Sequence, residues 1–427
     1  YSTAFREKSW VPITVEIINE QRDFDGYIEV RTFDFSKQQQ SPSYRMRAQC
    51  PQNSRKRFTL YAYLDGTDTV EVWLFEGGRR ATDAPAYMQV RPIAKEDALI
   101  LVLDEDPFNY GFLYAAIQRE GRAVRLSRHG LPMSDLDRLP DIPQAYEAFD
   151  AVILGHIQPD RIAARHRALL LNYVEQGGTL VVSTGENAAD YRGSWLEPLL
   201  GAEIGQATLT TEGDLAKFIP ADLRDGLRPD RQAEFAVLTP LDGAHAVGEG
   251  GVLATRSAYG SGNIYTVAID ATSHALQDTP GYQALWRAIL TRARADEVEA
   301  PELNIESFAA TLAQALPNLS GVTIRPLGWV MTYLLLYLGI GVVANWIFWS
   351  RLKRREMAWV CLVGFSFAFT TYAMFFGRSG NLREAQQQSA GVLRIEPGAT
   401  RAKFSQLTGI LTARTRTFSG AIEGRNV

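Results

Sequence analysis

Two stretches of this chain contain no Asp, Glu, Lys or Arg: Leu327–Trp349 (LGWVMTYLLLYLGIGVVANWIFW) and Met357–Gly377 (MAWVCLVGFSFAFTTYAMFFG). A helix needs about 20 residues to cross the hydrocarbon core of a bilayer, and both stretches are long enough. Trp329, Tyr333, Trp346, Trp349 and Trp359 lie toward their ends, where amphipathic rings favour the headgroup layer. The alternative is a pair of buried core helices, but such helices seldom run this far without a charge. Between the two lies Ser350–Glu356, which carries Arg351, Lys353, Arg354 and Arg355, whereas the outer flanks hold only Arg325, Arg378 and Arg383. The positive-inside rule then puts 350–356 in the cytoplasm and both flanking segments on the other face. The expectation is a two-span hairpin in a bacterial inner membrane, with 327–349 and 357–377 as spans and most of the chain periplasmic. That orientation requires an export signal ahead of Tyr1.

Composition bounds the rest. A chain of 427 residues exceeds one ordinary core, and two to four domains are expected at roughly 100–200 residues each. Apolar residues make up 46% and charged residues 22%, which excludes a disordered or fibrous chain. Lys and Arg number 44 against 48 Asp and Glu, a net charge of −4, so the basic excess of a nucleic-acid binder is missing. The two cysteines, Cys50 and Cys361, are too few for a disulfide framework or a Cys-rich metal site.

Residues 1–93 read as strands. Val11–Ile18, Tyr27–Phe33 and Val70–Phe75 are rich in β-branched and aromatic residues, separated by turn signals at Asp25-Gly26, Asp65-Gly66 and Gly77-Gly78. This spacing predicts an Ig-like β-sandwich. From Asp97 to Ala295 strands alternate with helices. Ala98–Leu103 is a continuous apolar run, as a strand buried on both faces should be. A helix is expected over Phe108–Gln118, a strand at Ala123–Leu126, another at Ala151–Gly155, a helix over Arg161–Gln176 and a strand at Thr179–Ser183. Gly177-Gly178 supplies the left-handed stop for that helix. Residues 201–249 look less regular, Asn263–Asp270 reads as a strand, and Tyr282–Arg294 as a closing helix. The rhythm is that of a doubly wound, flavodoxin-like α/β domain with a mainly parallel sheet.

The run DAVILGHIQPDRIAARHRALLLNYVEQGGTLVVSTGE, followed by ATRSAYGSGNIYTVAIDAT and LWRAIL, resembles the class I glutamine amidotransferase-like domains of bacterial membrane proteins. The membrane hairpin LLLYLGIGVVANWIFWSRLKRREMAWV and the opening WVPITVEIINEQRDFDGYIEV are similar to the same group. The resemblance implies association with MoxR-type AAA+ ATPases and von Willebrand A-type membrane proteins, and so a role in an envelope system. A working amidotransferase also needs a cysteine nucleophile on a strand-to-helix elbow and a His–Glu pair after a later strand. Here the elbow reads Ser183-Thr184-Gly185, and the later strand ends in Ile269-Asp270-Ala271-Thr272. Cys50 belongs to the sandwich and Cys361 to a span, so the resemblance implies a pseudoenzyme.

Other chemistries are weaker. A hydrolase can be drawn from Ser183 or Thr184 as nucleophile, His156 or His274 as base and Glu186 or Asp270 as orienter, but no G-x-S-x-G elbow is present. No pair of histidines has metal-ligand spacing. Asp104-Glu105-Asp106 reads as a solvated loop capping the helix after it rather than a cation site. Gly260-Ser261-Gly262 reads as a hairpin turn, with no phosphate-loop Lys-Ser/Thr after it. No cofactor or metal is expected. Residues 296–326 open with five carboxylates in eleven residues and form an acidic linker with a juxtamembrane helix. Residues 378–427 read as the start of an extracytoplasmic β domain.

The expectation is thus a membrane-anchored, non-enzymatic scaffold or interaction subunit of a bacterial envelope complex. Its partners would be the lipid bilayer and other envelope proteins, as a hetero-complex or homo-oligomer, without nucleic acid. The alternative is a periplasmic hydrolase or ligand sensor using the α/β crevice near Ser183 and Asp270.

Overall fold

The structure, a computed structural model, describes residues 4–34, 39–67, 69–94, 97–105, 107–114, 124–130, 136, 139–215, 232–247, 253–273, 276–299, 327–376, 386–395 and 402–411. The chain divides into two compact units, residues 1–300 with 395–402, and residues 301–394 with 403–427.

The first unit opens with β1 (Ala4–Arg6), β2 (Ser9–Asn19), β3 (Phe24–Asp34), β4 (Gln39–Cys50), β5 (Ser54–Leu64), β6 (Thr69–Glu76), β7 (Arg79–Arg80), β8 (Ala86–Gln89) and β9 (Arg91–Ile93). β2 and β5 pair antiparallel from Ser9↔Leu64 to Asn19↔Ser54. A second sheet has the order β4-β3-β6-β7, with β8 also on β6. The period-2 alternation of strands sends Ile13, Ile17, Ile28, Val30, Leu60 and Ala62 into one core, with Cys50 buried among them as a free thiol. These two sheets, packed on one core, form the sandwich.

The sandwich is tied to the α/β part by a specific clasp. β1 pairs in parallel with β9, Ala4↔Arg91 to Arg6↔Ile93. Arg6 donates to Ala148 O at 3.2 Å, to Asp97 O at 3.2 Å and to the Asp150 carboxylate at 2.5 Å. Asp150 in turn accepts the Leu99 N–H at 2.6 Å. The Tyr61 hydroxyl accepts the Asp141 N–H at 2.6 Å, and burial pushes its phenol up to about 12.

The α/β part contributes β10 (Ala98–Asp104), β11 (Val124–Gly130), β12 (Ala151–Leu154), β13 (Thr179–Ser183), β14 (Ala202–Thr211), β15 (Gln232–Pro240), β16 (His245–Val247), β17 (Ala254–Tyr259) and β18 (Gly262–Val267). Seven of them form one sheet in the order β11-β10-β12-β13-β18-β17-β16. The pairings from β11 through β18 are parallel, while β17 and β16 run antiparallel. Every residue of β10, β12, β13 and β18 is buried, as a sheet covered on both faces requires. Right-handed crossovers place the segment after β10 on one face and the connections to β12 and β13 on the other. The packing agrees: Phe112 meets Tyr282 and Trp286 of the helix Pro280–Glu299, while Tyr146 meets Tyr173 of the helix Ala164–Glu175. Gly177, at φ +110, ends the latter helix, and Gly178 N–H bonds back to Tyr173 O at 2.9 Å.

Several expectations need correction. The described residues of 201–249 hold a long antiparallel pair, β14 with β15, in place of the irregular chain expected; 216–231 and 248–249 lie outside the described residues. The helix expected over Phe108–Gln118 starts as a 3-10 turn, Pro107–Gly111, because Tyr110 is drawn inward at φ −87, ψ 17 to reach Asp104; residues 115–118 lie outside the described residues. The strand expected to reach Asp270 ends at Val267, where the chain is needed for bonds to the loop after β13. Gly260-Ser261 does form the two-residue turn between β17 and β18, with Tyr259 opposite Gly262.

The second unit contains two long apolar helical stretches. Leu327–Tyr337 is α-helical, Leu338–Ala344 is π-helical, and Asn345–Arg351 is α-helical again; the other stretch is Arg355–Phe376. Gly328–Arg351 and Arg355–Met374 are long and apolar enough to cross a membrane. Three polar contacts join them: Tyr333 OH to Phe369 O at 2.5 Å, Tyr337 OH with Ser366 Oγ at 3.2 Å, and Asn345 Nδ2 to Ala358 O at 2.8 Å. Each i→i+5 bond closes over one more residue than the bond of an α-helix, and the added rotation turns Asn345 onto the face that Tyr333 and Tyr337 present. The basic turn is shorter than expected, since Arg351 closes one helix and Arg355 opens the next. β19 (Gln386–Ile395) pairs with β20 (Ala402–Leu411), matching the strand-like tail, while 300–326 lie outside the described residues.

The clasp at Arg6 has a measurable consequence. Arg6→Ala strands a mostly buried Asp150 and should cost about 2 kcal/mol of stability in urea unfolding, with faster proteolytic cleavage between the sandwich and β10.

Candidate functional site

Open α/β sheets bind ligands outside the carboxyl ends of their strands, at the point where strand order reverses. Here β11 lies on one side of β10 and β12 on the other, so the reversal falls between β10 and β12. The residues at these ends are Asp104, Gly155-His156, Ser183–Glu186 and Ala268–Thr272, most of them already candidates on sequence grounds.

The structure closes the part of this edge that carries Ser183 and Asp270. Ser183 is fully buried, and its Oγ donates to Ile269 O at 3.1 Å while accepting the Ala271 N–H at 2.6 Å. Thr184 Oγ1 donates to Val267 O at 2.7 Å. The turn between them and Glu186 is sharp, with Thr184 at φ −97, ψ −110 and Gly185 at φ +67. A Cβ on Gly185 would come within 2.4 Å of Asp270 N, so only glycine lets the two loops approach this closely. The Asp270 carboxylate accepts Thr272 N–H at 2.9 Å and Thr272 Oγ1–H at 2.7 Å. The β14–β15 hairpin packs on the same edge, with Ala236 N–H bonded to Ala268 O at 2.8 Å and a bridge between Phe235 and Ile269.

His156 belongs to a different neighbourhood. Its Nδ1 lies 3.5 Å from Glu186 Oε1, and both side chains are about half exposed. Its backbone N–H donates to Asp104 Oδ2 at 2.8 Å, and that oxygen also accepts the Tyr110 hydroxyl at 2.8 Å. Asp104 is 1% exposed, which corrects the expectation of a solvated loop at its first residue: this carboxylate is turned inward to tie β10 to β12, while Glu105 is exposed. A Cβ on Gly155 would lie 1.9 Å from Asp104 Oδ2. Burial, and then the Asp104 carboxylate, push the Tyr110 phenol well above its ordinary range. Burial does the same to Tyr191, whose hydroxyl donates to Gly155 O at 2.7 Å.

So the structure brings His156 to Glu186, and Ser183 to backbone, but it gives Ser183 Oγ no histidine partner among the described residues. His274 and Asp106 lie outside the described residues. Among the described residues, no three His, Cys, Asp or Glu side chains gather in metal-binding geometry. Tyr110, Gly155 and Tyr191 were missed in the sequence. The only available signal was the glycine directly after an apolar strand.

Comparison with known proteins adds little about chemistry. Residues 1–89, the sandwich, match a family model described as a domain of unknown function, DUF8726. No curated protein matches the chain. Among solved structures, a cytoplasmic protein from Salmonella typhimurium LT2 is 14% identical with a TM-score of 0.33, covering 46% of this chain and 98% of its own. The exo-beta-1,4-mannosidase Op5Man5 from Opitutaceae bacterium strain TAV5 is 19% identical with a TM-score of 0.29, covering 45% of this chain and 35% of its own. A putative GMP synthase protein from Thermoplasma acidophilum is 11% identical with a TM-score of 0.28, covering 48% of this chain and 100% of its own. At these scores the likenesses bear on no functional question.

Ser183 is therefore testable as a structural residue. Ser183→Ala removes a buried hydroxyl that serves both a donor and an acceptor and should destabilise the protein by about 1–3 kcal/mol in urea unfolding.

Proposed function

We propose that this chain is a membrane-anchored, non-catalytic interaction subunit of a bacterial envelope complex. The observation that carries this reading is the closure at Ser183. Ser183, at the elbow where a nucleophile would stand, has its hydroxyl bonded as donor and as acceptor to the backbone of the neighbouring loop. A nucleophile needs its base within hydrogen-bond reach and an open approach for the reacting carbonyl. Thr184 and Asp270 are similarly engaged.

The α/β part is read as an amidotransferase-like domain that has lost its chemistry. Support comes from its parallel order with a reversal at β10 and from the sharp turn after β13, where such domains carry an elbow. The residues on that turn stitch two loops together instead of presenting a thiol. The crevice serves the fold, and His156 with Glu186 is what it leaves open to solvent.

Membrane insertion is supported by the two helices, whose apolar windows are only 11% and 6% buried within the protein. In water that much Leu, Ile, Phe and Trp surface would be exposed at great cost, whereas lipid is its natural solvent. Arg351, Lys353, Arg354 and Arg355 between them put the turn on the cytoplasmic side and the β-rich parts on the periplasmic side. The group that the sequence resembles suggests MoxR-type ATPases and von Willebrand A-type membrane proteins as the company this protein keeps.

Two measurements test the reading. Tagged full-length protein purified from membranes in mild detergent should run as a discrete assembly with fixed partners; a lone monomer overturns the interaction-subunit reading. In a background with Cys50 and Cys361 replaced by serine, Ser350→Cys should resist a membrane-impermeant maleimide in intact spheroplasts and react after lysis. Labelling in intact spheroplasts overturns the topology.

A further inference from the structure

We propose that the outer face of the β4-β3-β6-β7 sheet docks an extended acidic segment of a partner protein. The proposal rests on the interaction-subunit reading and names where, and with what chemistry, one partner is held.

The face is defined by the alternation along β3. Ile28 and Val30 are buried in the sandwich core, so Tyr27, Glu29 and Arg31 stand on the opposite side. Directly across from Glu29 lie Arg45 on β4 and Trp73 on β6. Polar sheet faces are usually built from small hydroxyl or solvated charged residues. This one holds a carboxylate that is only 1% exposed. Glu29 Oε1 accepts from Arg31 Nε and Oε2 from Arg45 Nε, both at 2.5 Å.

Each guanidinium is thus engaged through the nitrogen nearest its stem, and neither has another ion-pair partner among the described residues. Ring faces hold two cations in place as well: Arg45 lies 4.9 Å from the centroid of Tyr27, and Arg80 lies 4.1 Å from that of Trp73. Arg80 has no carboxylate partner among the described residues. The carboxylates nearby are engaged, Asp25 with Arg47 and Glu71 with the Trp73 indole N–H. What remains outward is a set of guanidinium edges, ordered in advance, in a patch where Arg31, Arg45, Arg47 and Arg80 face Asp25, Glu29 and Glu71 and leave one cation in excess. Arginines fixed in this way lose little further entropy on binding, and their planar forks match carboxylates.

The spacing favours a peptide. The guanidiniums lean inward from β4 and β7, Arg45 over Tyr27 of β3 and Arg80 over Trp73 of β6, and Tyr27 and Trp73 are diagonal neighbours on paired strands, about 7–8 Å apart. An extended chain advances about 3.4 Å per residue, so carboxylates two residues apart, on one face of it, span a similar distance.

The test uses the full chain in nanodiscs of zwitterionic lipid and a fluorescein-labelled decapeptide alternating Glu and Ser, read by anisotropy at low salt. Arg45→Ala/Arg80→Ala should weaken binding at least about fivefold. Arg55→Ala/Arg57→Ala removes the same charge from the other sheet, where both residues are held by Glu16, and should leave binding unchanged. Arg80→Glu alone, which leaves both pairs of Glu29 intact, should act in the same direction as the double variant. Equal losses in the two double variants, or no saturable binding, overturn the proposal. So does a preference, dependent on Arg45 and Arg80, for vesicles of anionic lipid over the peptide. If wild type and Arg45→Ala/Arg80→Ala co-purify with the same fixed partners, the face is wrong while the interaction-subunit reading stands.

Discussion

A sheet whose four central strands are buried at every residue has to be covered on both faces, and much of residues 1–300 answers that demand. β10, β12, β13 and β18 expose nothing. Cover comes from the helix Ala164–Glu175 with Tyr146 on one face and from Phe112 with the helix Pro280–Glu299 on the other. Parallel strands cannot be joined by tight turns, so their crossovers supply this cover. The β17–β18 hairpin, joined through Gly260-Ser261, then lets the sheet end in antiparallel strands.

The carboxyl edge of the same sheet is where such folds ordinarily keep their ligands, and here hydrogen bonding has closed much of it. Ser183 bonds to the loop after β18, Asp104 bonds to Tyr110 and to the His156 N–H, and Tyr191 bonds to Gly155 O. Each of these buried polar groups has found a partner inside the protein, as it must to avoid a desolvation penalty. Most of those partners are backbone atoms of neighbouring loops, so the polar residues hold the edge together. The sandwich is joined to this body through the Arg6–Asp150 ion pair and the hydrogen bond from Asp141 N–H to the Tyr61 hydroxyl.

Much of the architecture was legible because the patterns were simple. The apolar run Ala98–Leu103 announced a strand buried on both faces, Gly177-Gly178 announced a helix end, and two uncharged runs announced the long helices. The β14–β15 hairpin was not legible. Its strands are rich in Thr, Ala and Glu, and the burial of Phe235 and Ala236 comes from contact with Ile269 and Ala268, more than thirty residues away in the chain. The π-helical segment was equally hidden, because Leu338–Ala344 is uniformly apolar and only its cross-helix bond at Asn345 marks the extra rotation.

The candidate site divides in the same way. Sequence alone determined which residue types stand at the strand ends: Ser183 and Thr184 at the end of β13, and Asp270 after β18. Composition and hydropathy also determined the two apolar helices with their basic turn, since length and charge act locally along the chain. Only the tertiary structure decided what the polar residues do. Asp104 reads as a solvated cap until Tyr110 folds beneath it, and Ser183 reads as a nucleophile until Ile269 O and Ala271 N–H take its hydroxyl. The physical reason is that a hydrogen bond belongs to a pair, and the partners here lie six to eighty-eight residues from one another in the chain.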